Sequence, residues 1–242
     1  MLTDDTQASA RLTNVRRSPV ERVAVLTMEM QRGVVGDLTR FPELVEACTR
    51  HDVIGNAARL LHAARAAAIP VIHCTAAFRP DRAGSHTGNC PFIVSLLKDP
   101  GHMLEGTPAT EVVPELRDAG DLESHHGFSP FTGTSLDMTL RSLGVTAVVA
   151  AGVSLNLGIP GLALEAVNLG YRVTVVKDAV AGIPDDYARA VMRHTIGLLA
   201  TRAATADLTE TWARADGDRA DGDRADGSRA DGRMTETGRT GA

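Results

Sequence analysis

Lysine, aromatic residues and long apolar runs are all scarce in this sequence. Arginine supplies nearly all the positive charge, since Lys98 and Lys177 are the only lysines, and the net charge is −5. That charge gives no reason to expect nucleic acid or an anionic membrane surface as a partner. No segment approaches the ~20 apolar residues that a membrane-spanning helix needs. The beginning of the chain lacks the apolar core of a secretory signal peptide.

Cysteine is also scarce, and its placement indicates a compartment. Cys48, Cys74 and Cys90 are scattered, have no metal-site spacing and cannot all pair. We therefore expect reduced thiols, buried as small core residues, in a cytoplasmic protein. His86 and His102 have no partner at the spacing of a metal site. Neither zinc nor any other cofactor is expected.

Length and composition predict one folded domain between two flexible ends. The 242 residues, 43% of them hydrophobic, suffice for one full-sized core. Residues 1–20 are predicted to be a flexible arm and residues 21–213 the domain. From Arg214 the sequence RADG recurs four times at a five-residue period. Because so charged and glycine-interrupted a segment cannot bury enough surface to fold, residues 214–242 are predicted to be a disordered tail. An interaction tail is the alternative.

The most informative stretch, residues 145–182, predicts a strand, a helix and a second strand. Residues 145–151 are an unbroken apolar run, typical of a strand buried on both faces of a parallel sheet. The turn at residues 152–158 leads into an apolar helix that ends at Gly170, and residues 171–176 form the next strand. Ligands of open parallel sheets bind beyond the carboxyl ends of the strands, where the strand order reverses. This turn is therefore the first candidate site.

Further elements are predicted on both sides of this unit. Strands are expected at residues 22–28, 70–75, 120–124 and 203–206, and helices at residues 42–68, 136–143 and 184–200. His73, in the second strand, is expected to be a hydrogen-bonded core imidazole. The long connection at residues 76–107 indicates a lid or a binding loop. Glu29 directly follows the first strand, either as a capping or salt-bridging carboxylate or as an acid at the mouth of the sheet.

Three motifs, in this order and spacing, resemble the isochorismatase-like (cysteine hydrolase) superfamily over about residues 20–208. They are Glu29-Met30-Gln31, residues 128–137 (FSPFTGTSLD) and residues 152–156 (GVSLN). The resemblance implies an α/β fold, a three-layer α/β/α sandwich around a parallel, roughly six-stranded, Rossmann-like sheet. It also implies a homo-oligomer and a small-molecule substrate, because members cleave amides such as nicotinamide, N-carbamoyl compounds or the vinyl ether of isochorismate.

The residues at the catalytic positions of this superfamily depart from the usual ones. Amide-cleaving members use an aspartate, a lysine and a nucleophilic cysteine, and these positions fall on Glu29, His125 and Gly158. The usual covalent thioester is therefore not expected. Isochorismatases proper also carry glycine at the third position, and they protonate the enol carbon of their substrate. Glu29 as general acid or base, with His125 as its partner, would suit such chemistry.

Backbone amides of the turn complete the site that the resemblance implies. In the family, N–H groups of this turn form an oxyanion hole, often beside a cis peptide bond. Ser154, Leu155 and Asn156 are therefore candidate donors at a helix N-terminus. Gly158 either leaves room for a substrate or a water, or only permits close packing.

Gln31 and Phe128 are the remaining candidate substrate-binding residues. Taken together, the sequence predicts a small-molecule hydrolase that works without a cysteine nucleophile. The alternative is a catalytically silent relative that uses the same cleft to bind a metabolite or a partner protein.

Overall fold

A parallel six-stranded sheet forms the centre of the protein. The computed structural model describes residues 21–85, 88–126 and 129–215, apart from the side chain of His126. The strand order is β3-β2-β1-β4-β5-β6. The strands are β1 (Val23–Met28), β2 (Val71–Ala76), β3 (Leu122–His126), β4 (Ala147–Val153), β5 (Arg172–Ala181) and β6 (Thr201–Ala203).

Helices connect the strands and cover both faces of the sheet. They are α1 (Pro42–Arg50), α2 (Val53–Ala66), α3 (Pro91–Leu96), α4 (Leu136–Ser142), α5 (Gly158–Asn168), α6 (Asp185–Val191) and α7 (residues 205–215). A π-helical turn, Met192–Ile196, and a last helical turn, Gly197–Leu199, extend α6. No helix of the described ranges is long and apolar enough to cross a membrane.

The side chains of each strand point alternately to the two faces of the sheet, so the strands contribute to two hydrophobic cores, one under each helical layer. Val25 and Val149 pack with α1, α2 and Trp212 of α7 on one face. Leu26 and Ala150 pack with α4, α5 and α6 on the other. The predicted three-layer α/β/α sandwich is confirmed.

The strand order reverses between β1 and β4. The chain builds β1, β2 and β3 outward in one direction, and then places β4 on the opposite side of β1. The carboxyl ends of β1 and β4 therefore diverge into connections that leave on opposite faces, which opens a crevice at this edge of the sheet. Glu29 and the turn after β4 both lie there.

Several predicted boundaries are wrong in detail. The helix expected at residues 42–68 is two helices, because Asp52 takes a left-handed φ of 49° and breaks it. Strand β3 begins and ends two residues later than expected, so His125 lies within it, paired with Thr75 of β2. Residues 204–206 leave the sheet, and a further helix, which the sequence pattern did not predict, buries Trp212. Residues 214 and 215 continue this helix. The rest of the predicted tail, like the predicted arm, lies outside the described residues.

His73 is the hydrogen-bonded core imidazole that the sequence predicts. Its Nδ1 lies 2.6 Å from the Thr27 hydroxyl and its Nε2 2.9 Å from a carboxylate oxygen of Asp121. Arg65 of α2 donates two hydrogen bonds to the same carboxylate. Both ring nitrogens are thus used to join β1, β2, α2 and the start of β3, which excludes His73 from the candidate site.

Candidate active site

Strands β1 and β4 approach closely at the point where the candidate site begins. Met28 and Gly152 are paired in register. Gly152 has φ +109°, and a Cβ at that position would lie 2.3 Å from the carbonyl oxygen of Met28. Only glycine therefore fits there. The close approach sets Glu29, the residue after Met28, beside the turn that follows β4.

Glu29 lies at the wall of a cavity of about 330 Å³. The turn after β4 contributes Ser154, Asn156 and Gly158 to the same wall. Most of the remaining lining is apolar. It comes from the end of β2, the turn after β4, the loops after β1, β2, α3 and β5, and the helices α1 and α3: Val34, Phe41, Leu44, Ala76, Phe78, Phe92, Ile93, Leu96, Met103, Leu157 and Ile183. The cavity is thus a largely apolar pocket with one carboxyl group.

The apolar surroundings change the protonation of Glu29. Burial raises the pKa of its carboxyl from 4.5 to about 7, because a desolvated carboxylate is disfavoured relative to the neutral acid. Its backbone takes a left-handed φ of 51°, and its N–H donates to the carbonyl of Cys74 at 2.9 Å. Near neutral pH this group is therefore present in both protonation states, as a general acid or base requires.

The turn after β4 presents two backbone N–H groups at the start of α5. The Val153–Ser154 peptide bond is cis, at the place where the resemblance implies one. The N–H groups of Leu157 and Ile159 donate to the Ser154 carbonyl. Those of Asn156 and Gly158 have no backbone acceptor among the described residues. The positive end of the helix dipole adds to their attraction for a developing negative charge.

Two predicted site residues are used elsewhere in the fold. The Leu155 N–H donates to the Ala181 carbonyl at 2.8 Å, and its side chain is buried in a core. Gln31 is fully buried, and its side-chain amide bonds the backbone of Ala76 and Thr110. Leu155 therefore offers no free donor, and Gln31 joins β2 to the loop before β3 and does not line the cavity.

His125 and Phe128 are placed differently from Glu29. The His125 imidazole bonds the Thr75 hydroxyl at 2.7 Å and lines a second cavity of about 550 Å³. The two cavities share Phe78 and Ile93 in their walls. Phe128 lies outside the described residues, so its predicted role stays a prediction.

Sequence reasoning missed the residues that close the cavity. Phe41 and Phe92 face each other with ring centroids 6.3 Å apart. His102, whose sequence position suggests no role beyond a metal site that is not expected there, is buried in the cavity wall. For Phe92 and His102, the available signal is the length of the connection after β2. No group of three or more His, Cys, Asp or Glu side chains in the described ranges is placed to hold a metal ion.

Comparisons with known proteins identify the family. A family model described as the isochorismatase domain matches residues 23–209. The chain belongs to the isochorismatase family. It is 29% identical over 102 residues to YwoC, an uncharacterized isochorismatase family protein of Bacillus subtilis (strain 168), which covers 41% of this chain and 54% of YwoC. It is 37% identical over 49 residues to YecD of Escherichia coli O157:H7, an uncharacterized protein of the same family, covering 20% and 26%. The chain thus spans about half of the first relative's length and less of the second's.

Solved structures of the isochorismatase family share the fold. An isochorismatase family protein from Desulfovibrio vulgaris has a TM-score of 0.68 and 27% identity, covering 80% of this chain and 99% of that one. N-carbamoylsarcosine amidase from Thermoplasma acidophilum has a TM-score of 0.58 and 26% identity, covering 76% and 96%. These similarities extend over nearly the whole of each known structure.

This isochorismatase family member has little space for a side chain at position 158. A Cβ on Gly158 would lie 2.9 Å from the Val153 carbonyl oxygen and 3.1 Å from Cε of Met28. Met28 is fully buried. The side chain of Met28 thus occupies the space beside the position at which the resemblance implies a nucleophilic cysteine. Gly158 is therefore closely packed against Val153 and Met28 and also lines the cavity.

The buried cysteines are poor substitutes for that nucleophile. Burial raises the pKa of the Cys48 thiol to about 12. Burial, with a smaller contribution from Glu29, does the same for Cys74. A thiol with so high a pKa is almost entirely protonated near neutral pH and reacts poorly.

Replacing Gly158 by alanine should lower the free energy of unfolding by about 1–3 kcal/mol, the usual cost of adding a methyl group to a filled space. Gly161, on the same helix with nothing within 4 Å of a built Cβ, is the matched control. Because glycine inside a helix destabilises the fold by roughly 0.5–1 kcal/mol relative to alanine, Gly161→Ala should be neutral or stabilising. Urea unfolding of both variants measures the difference. Equal stability of the two would show that position 158 is not crowded.

Glu29→Gln should stabilise the protein at alkaline pH. Because the folded-state pKa of Glu29 is raised, its ionisation destabilises the fold. This penalty is absent below the ordinary pKa of 4.5 and complete above about 7. Glutamine carries no such penalty. The Tm difference between the variant and the parent should therefore increase by about 3 °C or more as the pH rises from 4.5 to 8. Glu46→Gln, on an exposed position of α1, should show no such gain. A constant Tm difference between Glu29→Gln and the parent at all pH values would contradict the raised pKa.

Proposed function

We infer that this isochorismatase family member hydrolyses a small molecule without a cysteine nucleophile, and that Glu29 is the acid or base. The observation that carries this proposal is the position of Glu29, whose carboxyl has its pKa raised to about 7. It lies in an apolar cavity that the N-terminal turn of α5 also lines. An acid with this pKa, in a largely apolar site, suits proton transfer at neutral pH.

Two types of bond fit this arrangement, and they use opposite protonation states of Glu29. For a vinyl ether, protonated Glu29 gives its proton to the enol carbon. Water then adds to the resulting oxocarbenium carbon and returns a proton to Glu29, and the hemiketal collapses to a carbonyl compound and an alcohol. Here Glu29 is a general acid and is regenerated in each cycle.

For an amide or carbamoyl bond, ionised Glu29 takes a proton from a water molecule as that water attacks the carbonyl carbon. The carbonyl oxygen becomes an oxyanion, which would accept hydrogen bonds from the N–H groups of Asn156 and Gly158. Protonated Glu29 then gives its proton to the departing nitrogen. The glycine at position 158 and the Met28 packed against it support a direct attack by water over a covalent route.

The partnership of Glu29 with His125 stays a prediction. His125 lines the neighbouring cavity, which shares Phe78 and Ile93 of its wall with the cavity of Glu29. A small-molecule substrate, a homo-oligomeric state and a cytoplasmic location are likewise proposed from the family and the composition. The second candidate function, binding of a metabolite or partner protein without turnover, is favoured by the replacement of all three usual catalytic residues.

The pH dependence of turnover distinguishes these functions. A panel of vinyl ethers, primary amides and N-carbamoyl compounds is tested with the parent, Glu29→Gln and the control Glu46→Gln. With Glu29 as general acid, kcat/KM should fall as the pH rises through about 7. With Glu29 as base it should fall as the pH drops through the same value.

Glu29→Gln should reduce turnover by roughly 100-fold or more and remove that limb of the profile, while Glu46→Gln keeps both. His125→Ala should cause a comparable loss, and the double variant should lose little further, because residues that act as a unit are not additive. Full activity in Glu29→Gln would place the chemistry elsewhere. Binding without any turnover across the panel would favour the silent relative.

A further inference from the structure

Helix α3 contributes one wall of the cavity of Glu29 and buries little of its own surface. Phe92, Ile93 and Leu96 line that cavity, and Ile93 also lines the second cavity. Ile93 is the one buried residue of this six-residue helix, whereas Phe92 is 45% exposed. A short helix with one buried side chain loses little apolar contact when it detaches, so it belongs to the parts of a fold that open most easily.

The chain that follows α3 is attached firmly to the loop after β2. The N–H of Phe78 donates to the Met103 carbonyl at 2.8 Å, and the N–H of Glu105 donates to the Phe78 carbonyl at 2.9 Å. Phe78 and Met103 are both buried. Residues 103–105 are therefore an anchor segment, and α3 lies on the less firmly held side of it.

Two arginines from other parts of the chain hold the residues between α3 and the anchor segment. Arg40, in the loop before α1, forms an ion pair with Asp99, with 2.5 Å between Nη2 and a carboxylate oxygen. Arg82, in the loop after β2, donates to the Pro100 carbonyl at 2.7 Å. Its guanidinium lies over the ring of Phe78, 5.2 Å from the centroid. Both contacts keep the end of α3 against the body of the protein.

The ion pair and an aromatic contact join α3 to the same loop. Arg40 directly precedes Phe41, whose ring centroid lies 6.3 Å from that of Phe92. Both rings line the cavity of Glu29, and Asp99 lies three residues after the end of α3. If the ion pair is broken, the ring contact is the remaining side-chain link between this loop and the exposed side of α3.

The contacts that hold α3 in place are weak. The side chains of Arg40 and Asp99 are 55% and 30% exposed, and ion pairs exposed to this degree contribute little and are screened by salt. Nη1 of Arg82 is buried and has no hydrogen-bond partner among the described residues. Such an unsatisfied donor is unfavourable, and opening relieves it because water then reaches the guanidinium.

We propose that α3 is a lid over the cavity of Glu29 and that the Arg40–Asp99 ion pair keeps this lid closed. The length of the connection at residues 76–107 indicated a lid or a binding loop without saying which part moves or what holds it. The lid opens when α3 detaches on its side of the anchor segment, and it controls access to the cavity whether the cavity catalyses a reaction or only binds.

The first test measures amide hydrogen exchange of the full chain by NMR at low ionic strength. The N–H groups of Val94 and Leu97 donate the hydrogen bonds of α3, and that of Glu105 belongs to the anchor segment. In Arg40→Gln, the Val94 and Leu97 amides should exchange about 2- to 5-fold faster than in the parent, the effect expected from losing an exposed ion pair. The Glu105 amide should be unchanged.

The second test measures access to the cavity. Leu44→Cys places a thiol in the cavity wall, in a background with Cys90→Ser. Cys48 and Cys74 react slowly because their pKa values are raised to about 12. Uncharged methyl methanethiosulfonate should modify the new thiol about 2- to 5-fold faster when Arg40→Gln is added. Added salt should speed the reaction in the parent background and not in Arg40→Gln.

Arg172→Gln is the matched control. Arg172 is 58% exposed, pairs with Glu21 and lies at the amino end of β5, away from the cavity, so neither rate should change. Asp99→Asn keeps the acceptor for the Gly101 N–H and should act like Arg40→Gln. The double variant should be no faster than either single one, because both remove the same interaction.

The proposal is overturned if Arg40→Gln leaves both rates unchanged, if the effects of the two single substitutions add in full, or if Arg172→Gln acts equally. Faster exchange in α3 without faster thiol modification would show fraying of the helix and would also overturn it. None of these measurements requires turnover, so failure of the chemistry proposed for Glu29 would leave the lid standing.

Discussion

The close contact between β1 and β4 at Met28 and Gly152 is the constraint on which the site depends. A side chain at position 152 would collide with the Met28 backbone, so the two central strands approach closely only because glycine stands there. The contact lies where the strand order reverses, and both chains turn away from the sheet directly after it. Glu29 directly follows β1, and the 154–158 turn directly follows β4. The acid and the amide donors are thus brought together by the sheet itself.

Placing a carboxyl group at this position has an energetic consequence. The crevice is covered by apolar side chains of the loops after β1 and β2, so Glu29 loses hydration and its pKa rises to about 7. A fold built only for stability would place an apolar residue there, because an ionised carboxylate in such a pocket is unfavourable. Retaining an acid at the cost of stability is typical of functional sites. The same pocket is crowded beside Gly158, the position that corresponds, by resemblance, to the cysteine of amide-cleaving members.

The features that follow from regular strands and helices could be predicted from the sequence. Those that depend on a single backbone dihedral or on a distant contact could not. Buried apolar runs are enough to predict parallel strands, and the carboxyl ends of parallel strands meet at one edge. Glu29 and the 154–158 turn could therefore be placed together from the sequence. The hydrogen bond from Leu155 to Ala181 could not be predicted, because the direction of each N–H depends on backbone angles within the turn.

Long-range contacts explain the other differences. Gln31 is buried because the loop before β3 pairs with it through Val112. The side to which His125 points depends on a register with β2 that a shift of one residue would reverse. His102 enters the cavity through an irregular loop without periodicity, so its sequence position carries no information about its neighbours.

The most direct test of this account is a measurement of the Glu29 pKa in the folded protein. Selective ¹³C labelling of glutamate side-chain carboxyls allows each to be titrated by NMR, and the Glu29 resonance is assigned by its loss in Glu29→Gln. We expect a midpoint near pH 7, well above the ordinary value of 4.5. A midpoint at or below 4.5 would contradict it, because an acid with an ordinary pKa is almost entirely ionised at neutral pH and is not poised for proton transfer.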